Sequence, residues 1–192
     1  VASLRPALPS GAIDVASAGQ SRTAGRRAQV DMAGPGCSAD IVCLTAAGSA
    51  YAAAQGIADL AGGRCTAQSG TIWYDTCLPQ IPDAQIQTAA ETAPAMVMQL
   101  QTGAVDFVCT DLPTATAAAA NDSDLIVLNL AVTEGDFQFA SEAERAENVN
   151  IGMSVAKGST ELLDAINAVL DGMTADDFNT LMDQAIAVQP EV

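Results

Sequence analysis

Short apolar runs alternate with helix-patterned segments along most of the chain, and this alternation limits the fold more than any other feature. Residues 12–18 (AIDVASA), 40–45 (DIVCLT), 64–68 (RCTAQ), 105–110 (VDFVCT) and 125–130 (LIVLNL) read as strands. Helices are predicted over 23–27, 50–60, 72–77 and 92–101, and from Pro113 to Asn121. Gly62-Gly63 and Gly103 supply stops, while Pro94 and Pro113 sit in first turns, where a missing N–H costs nothing. A β-α-β-α-β order of this kind predicts an α/β fold with mostly parallel sheets flanked by helices. Residues 135–150 read as a long, exposed, acidic loop. The tail is predicted helical. Residues 159–172 set Leu162, Ile166 and Val169 on one face, and 174–187 open on a capping-box-like Thr-Ala-Asp-Asp with Phe178, Leu181 and Ala185 turned inward.

Composition then removes whole classes of function. The chain has 192 residues, 49% of them hydrophobic, enough to bury a core. Its net charge is −16. A nucleic-acid binder needs cations to displace phosphate counterions, and an anionic membrane surface needs them too, so neither partner is expected. The few cations cluster early: residues 1–64 carry five Arg and four Asp, the remainder two cations and 19 acids. There is no histidine, which excludes Ser-His-Asp and Cys-His catalysis and the commonest zinc ligand. Five cysteines occur without a CxxC spacing; they read as small core residues, with a disulfide as the alternative. The acidic pairs Asp122/Asp124, Glu142/Glu144 and Asp176/Asp177 lack the order of a calcium loop and read as solvated faces. Trp73, the sole tryptophan, reads as packing rather than lining a site. No catalytic residue, metal or cofactor is expected. No apolar run approaches the roughly 20 residues of a membrane-spanning helix, and the opening VASLRPALPSG lacks the basic-then-apolar order of a leader.

In open α/β sheets, ligands bind beyond the carboxyl ends of the strands. Here those ends are Gly19-Gln20-Ser21, Ser69-Gly70-Thr71 and Thr110-Asp111. Two of them lead into predicted helix starts, whose N–H groups attract an anion. The third carries a carboxylate, which attracts a cation. A zwitterion such as an amino acid satisfies all three.

Four stretches carry a resemblance. The first runs Leu8-Pro9-Ser10-Gly11-Ala12-Ile13-Asp14, Ala18-Gly19-Gln20-Ser21-Arg22-Thr23-Ala24-Gly25-Arg26 and Val30-Asp31-Met32-Ala33-Gly34-Pro35. The second spans Asp59-Leu60 to Ser69-Gly70-Thr71. The third spans Leu100-Gln101-Thr102-Gly103-Ala104-Val105-Asp106 to Asp111-Leu112-Pro113. The fourth contains Lys157-Gly158-Ser159, Glu161-Leu162 and Ile166-Asn167. In this order and spacing they resemble the family-3 solute-binding proteins of amino-acid ABC transporters.

The resemblance implies a two-lobe periplasmic-binding-protein-like fold whose lobes close on an amino acid. It implies that Arg26 binds the ligand carboxylate, helped by Gly19 and Ser21. Thr71 and Ile72 would offer N–H groups to the same carboxylate, Gln68 would read the ligand side chain, and Asp111 would hold the ammonium. Residues 1–42 and 152–192 would form an incomplete lobe one, 43–151 lobe two, with hinge strands near 40–45 and 151–156. Relative to the family pattern a segment before the first motif is missing. A leader or a lipid anchor would lie there. The family's Phe-Ser-x-Pro-Tyr is replaced by Met32-Ala33-Gly34-Pro35-Gly36, which removes an aromatic that usually shapes the cleft. The implied role is capture of an amino acid in the periplasm or outside the cell and delivery to an ABC permease, the only route to a membrane apart from such an anchor. A sensory domain of a receptor or permease is the alternative, and an enzyme on the same fold is a third, with Glu91 or Asp75 as its acid or base.

Overall fold

The structure, a computed structural model, describes residues 4–188. In chain order the elements are α1 (Leu4–Ala7), β1 (Val15–Ser21), α2 (Ala24–Gln29), β2 (Asp31–Ser38), β3 (Ile41–Ala46), β4 (Arg64–Ala67), β5 (Gln85–Ile86), α3 (Ala93–Gln101), β6 (Phe107–Asp111), α4 (Leu112–Asn121), β7 (Leu125–Leu128), α5 (Glu142–Val149), β8 (Asn150–Val155), α6 (Thr160–Leu170) and α7 (Ala175–Ala187). The chain divides into two compact units. One joins the residues up to Ala39 with Phe139–Val188, and the other runs from Asp40 to Gln138.

The first unit holds a three-stranded sheet in the order β1-β8-β2, with both neighbours antiparallel to β8. Leu8, Ala16, Val30 and Met32 form its buried cluster. Helix α6 packs on β2, and the amide oxygen of Asn167 accepts the Gly34 N–H at 2.9 Å. That bond sets the rotation of α6. Leu170 is buried, whereas Val169, expected on the apolar face with Leu162 and Ile166, is 66% exposed. Of the inward set expected on α7, Phe178 approaches Gly36 while Leu181 is exposed.

The second unit holds a five-stranded sheet in the order β5-β4-β6-β3-β7. Strand β4 is parallel to β5 and β6, and β3 is antiparallel to both β6 and β7. Four strands therefore point one way and only β3 opposes them, because α3 and α4 are the crossovers that return the chain to the same end. The sheets are mixed rather than mostly parallel: β4 pairs in parallel with β5 and β6, and the other four pairings are antiparallel, because β3 here and β8 in the first unit each run against both neighbours. One sheet face buries Val42, Leu44 and Val108 under Met96 and Leu100 of α3 and Ala115 of α4. The other buries Cys43, Cys65, Phe107 and Cys109 beneath Leu60, Cys77 and Leu78.

Three local expectations need correction. Residues 50–60 do not form a helix; only Ile57–Leu60 makes a 3-10 turn. Gly56 lies extended against Gly135, where a Cβ would sit 3.0 Å from the Gly135 Cα, so the chain cannot coil there. Residues 135–150 are not all loop, since α5 lies within them. Ser141 accepts the Glu144 N–H at 3.1 Å, and the Glu144 carboxylate accepts the Ala140 N–H at 2.9 Å, a reciprocal cap readable from the S-x-x-E spacing. The first strand begins at Val15 rather than Ala12, because the carbonyl of Ala7 takes the N–H groups of Ala12 and Ile13 into the turn after α1.

Candidate functional site

In the first unit the site residues gather where β1 gives way to α2. The β1–β8 register shifts between Ala16 and Gln20, and Gly19 stands in this irregularity at φ +60°, a conformation that disfavours side chains. Gly19 is exposed, while Ser21 behind it is buried. Thr23 caps α2 by accepting the Arg26 N–H at 3.4 Å. This single short turn folds Arg26 back, so that its guanidinium donates to the Ser21 carbonyl at 2.9 Å. Arg26 is 8% exposed and is the only buried cation among the described residues. Its neighbour Arg27 is exposed and pairs with Glu147 on the surface. Arg22, which the sequence reading left without a role, lies with its stem against Gly152. Its Nε is buried without a hydrogen bond, and desolvation lowers its pKa. Its place between Ser21 and the Thr23 cap was the available signal.

In the second unit the register Ala67↔Cys109 brings the carboxyl ends of β4 and β6 side by side. Gln68 leaves β4 through a bridge to Ala90 and donates its amide to the Glu91 carbonyl at 3.2 Å. Gly70, at φ +70°, turns the chain, and the buried Thr71 hydroxyl donates to the Gln68 carbonyl at 2.7 Å. Ile72, half-buried, then precedes a π-type turn over Trp73–Cys77 that runs into a 3-10 turn over Leu78–Gln80. The expected helix is thus one irregular turn. Its summed dipole is small, and any anion attraction at Thr71 and Ile72 rests on individual N–H groups. Trp73 is buried, as a packing residue would be.

Asp111 ends β6 and caps α4. Its Oδ1 accepts the Thr114 N–H at 2.7 Å, and Pro113 occupies the first turn. Its second oxygen has no hydrogen bond within the described residues. A half-buried carboxylate with one oxygen fixed and one uncommitted is a preorganised acceptor for a cation. Glu91 and Asp75 are exposed. Among the described residues no group of three or more metal-ligating side chains converges, and no helix is long and apolar enough to cross a membrane.

Over residues 1–186 the chain matches the bacterial extracellular solute-binding proteins, family 3. The chain belongs to this family. Among solved structures, this family-3 chain is similar to the substrate-binding protein of an amino acid ABC transporter, with 24% identity and a TM-score of 0.74, covering 94% of this chain and 74% of that one. It is similar to an amino acid ABC transporter substrate-binding protein from Streptococcus pneumoniae bound to L-arginine, with 23% identity and a TM-score of 0.80 over 97% of this chain and 72% of that one. It is also similar to an ancestral amino acid-binding protein described as a precursor of cyclohexadienyl dehydratase, with 23% identity and a TM-score of 0.74 over 94% and 72%. No curated protein matches it.

Proposed function

We propose that this chain is an amino-acid-binding protein that delivers its ligand to an ABC importer from outside the cytoplasm, with hinge closure between its two units. The observation that carries the reading is the burial of Arg26. Its guanidinium lies behind the carboxyl end of β1, where it donates to the Ser21 carbonyl, and a planar fork of this kind pairs with a carboxylate in bidentate fashion. Family membership supports the fold's use as a binder, and the arginine-bound relative supports an amino acid as the ligand class. In this reading Arg26, with Gly19 and Ser21, takes the carboxylate; Thr71 and Ile72 add N–H donors; Gln68 reads the side chain; Asp111 takes the ammonium. The hinge in this reading is formed by strands near 40–45 and 151–156; the chain passes from one compact unit to the other at Ala39–Asp40 and Gln138–Phe139. A ligand engaged by both units shifts the population toward the closed state.

The test is thermal unfolding of the chain against each of the twenty amino acids. A ligand at 100 times its Kd adds about 2.7 kcal/mol, a midpoint rise of roughly 5–10 °C for a chain of this size. The reading expects one or a few amino acids to raise the midpoint, and Arg26→Ala to abolish the rise. A cooperative transition that no amino acid moves overturns it.

A second reading, catalysis, is favoured only by the likeness to the dehydratase precursor. It predicts conversion rather than retention of a bound ligand.

A further inference from the structure

Four of the five cysteines, Cys43, Cys65, Cys77 and Cys109, lie buried in the second unit as free thiols with no exposed surface. Cys43 on β3 and Cys109 on β6 are direct partners in an antiparallel ladder. The ladder's phase can be read from its end. The Leu112 N–H donates to the Asp40 carbonyl at 2.8 Å, which makes Asp40/Leu112 a hydrogen-bonded pair. Alternation then makes Val42/Thr110 hydrogen-bonded and Cys43/Cys109 non-hydrogen-bonded. In such a pair the Cα atoms stand about 4.5 Å apart and the side chains are closest, inside the roughly 4.4–6.8 Å window that a disulfide requires. Both side chains project to the same face.

Cys77 also touches Cys109. It comes, however, from the irregular turn over the sheet, where no ladder register fixes its Cα opposite Cys109 as it does for Cys43. Cys65 is level with Phe107, one step along β4, and is not the ladder partner of either residue.

We propose that Cys43 and Cys109 are a disulfide site, joined as the second unit folds in an oxidising compartment. The family's extracellular setting supplies the conditions; the proposal does not depend on which ligand the protein binds. The bond forms by thiol–disulfide exchange with a small-molecule or protein disulfide. The thiolate of one cysteine attacks that disulfide, giving a mixed disulfide and one released thiol. The partner's thiolate then attacks the linked sulfur, giving the Cys43–Cys109 bond and a second released thiol. Two thiols are oxidised, one external disulfide is reduced, and two protons pass to the released thiols.

Timing follows from burial. In the folded unit desolvation pushes the Cys109 thiol well above its ordinary value, so the attacking thiolate is scarce and shielded. Exchange therefore belongs to the stage when β3 and β6 have paired but the Trp73–Cys77 turn has not yet closed over them.

The test compares two samples of the whole chain. One is reduced, unfolded and refolded in a mixture of reduced and oxidised glutathione. The other is folded under reductant and then given the same mixture. Both are quenched with N-ethylmaleimide, digested without reduction and analysed by mass spectrometry. The expected result is a Cys43–Cys109 linked peptide in the first sample and at least ten-fold less of it in the second. The oxidised sample should also unfold about 10 °C higher than its reduced form. Full labelling of both cysteines in the refolded sample overturns the proposal, and so does a Cys77–Cys109 link in its place. The peptide readout is made on the wild-type chain, so it does not depend on a variant's folding.

Discussion

Replacing Asp111 separates its two duties. As the cap of α4 it satisfies the Thr114 N–H. As the proposed ammonium acceptor it offers a negative charge. Asn and Ser keep the first duty and lose the second, whereas Ala loses both. Loss of a cap costs about 1 kcal/mol, within a range of roughly 0.5–2. For a chain of this size that lowers the unfolding midpoint by about 2–4 °C. Asp111→Ala should show this drop, and Asp111→Asn and Asp111→Ser should stay within about 1 °C of wild type. Binding should follow a different order. Truncating one partner of a desolvated, hydrogen-bonded charge pair costs about 2–5 kcal/mol, a loss of roughly 30-fold or more in affinity. All three variants should show it by calorimetry with the amino acid selected in the thermal panel. Deaminated analogues of that ligand should bind wild type and Asp111→Asn alike. Wild-type affinity in Asp111→Asn, beside weakened stability in Asp111→Ala, would refute the ammonium assignment and leave Asp111 as a cap alone.

Two further outcomes concern stability. A Cβ at Gly152 would collide with the backbone oxygen of Ala33, so Gly152→Ala must push β8 away from β2; equilibrium denaturation should show a loss of about 1–3 kcal/mol, and an unchanged midpoint would refute the close approach. Asp106 receives the Arg64 side chain at 2.6 and 3.2 Å and the Arg64 N–H at 2.8 Å, and the Arg64 hydrogen bond, foremost among the causes, holds its carboxyl below the ordinary value of about 3.9. Its contribution is therefore complete above about pH 4 and lost as pH falls through the lowered folded-state value. Asp106→Asn should flatten the acid limb of the urea midpoint against pH, and an acid limb of unchanged slope would show that the pair does not report on folding.

Much of the second unit was legible because its elements carry local signals. Thr92 and Pro94 announce α3, Pro113 announces α4, and the apolar runs of β3, β6 and β7 are long enough to stand out. What was not legible depends on partners distant in sequence. Strand β2 carries Gly34-Pro35-Gly36 near its centre and was not among the expected strands; it is a strand because β8 pairs with it across a shifted register. Residues 50–60 have the composition of a helix, and the close approach of Gly135 forbids it. Family resemblance pointed to Arg26, but its burial depends on how Thr23 turns α2. Asp111 was expected to hold an ammonium, and the structure makes it the cap of α4, a role its place before Leu112-Pro113 also signals.

The order β1-β8-β2 also has a consequence for how the protein comes into being. The two outer strands of the first sheet are synthesised early, within residues 15–38, yet they are held together by a strand that follows more than a hundred residues later. The second unit lies wholly between them and is one uninterrupted stretch. It can close on contacts of shorter range, while β1 and β2 must wait as two unjoined edges for Asn150–Val155 to arrive. A chain stopped at Asn148 would hold a complete second unit and no first sheet at all. The last fifth of the sequence is in this sense the keystone, and the interval before it emerges is when the two waiting edges are most open to pairing with another chain.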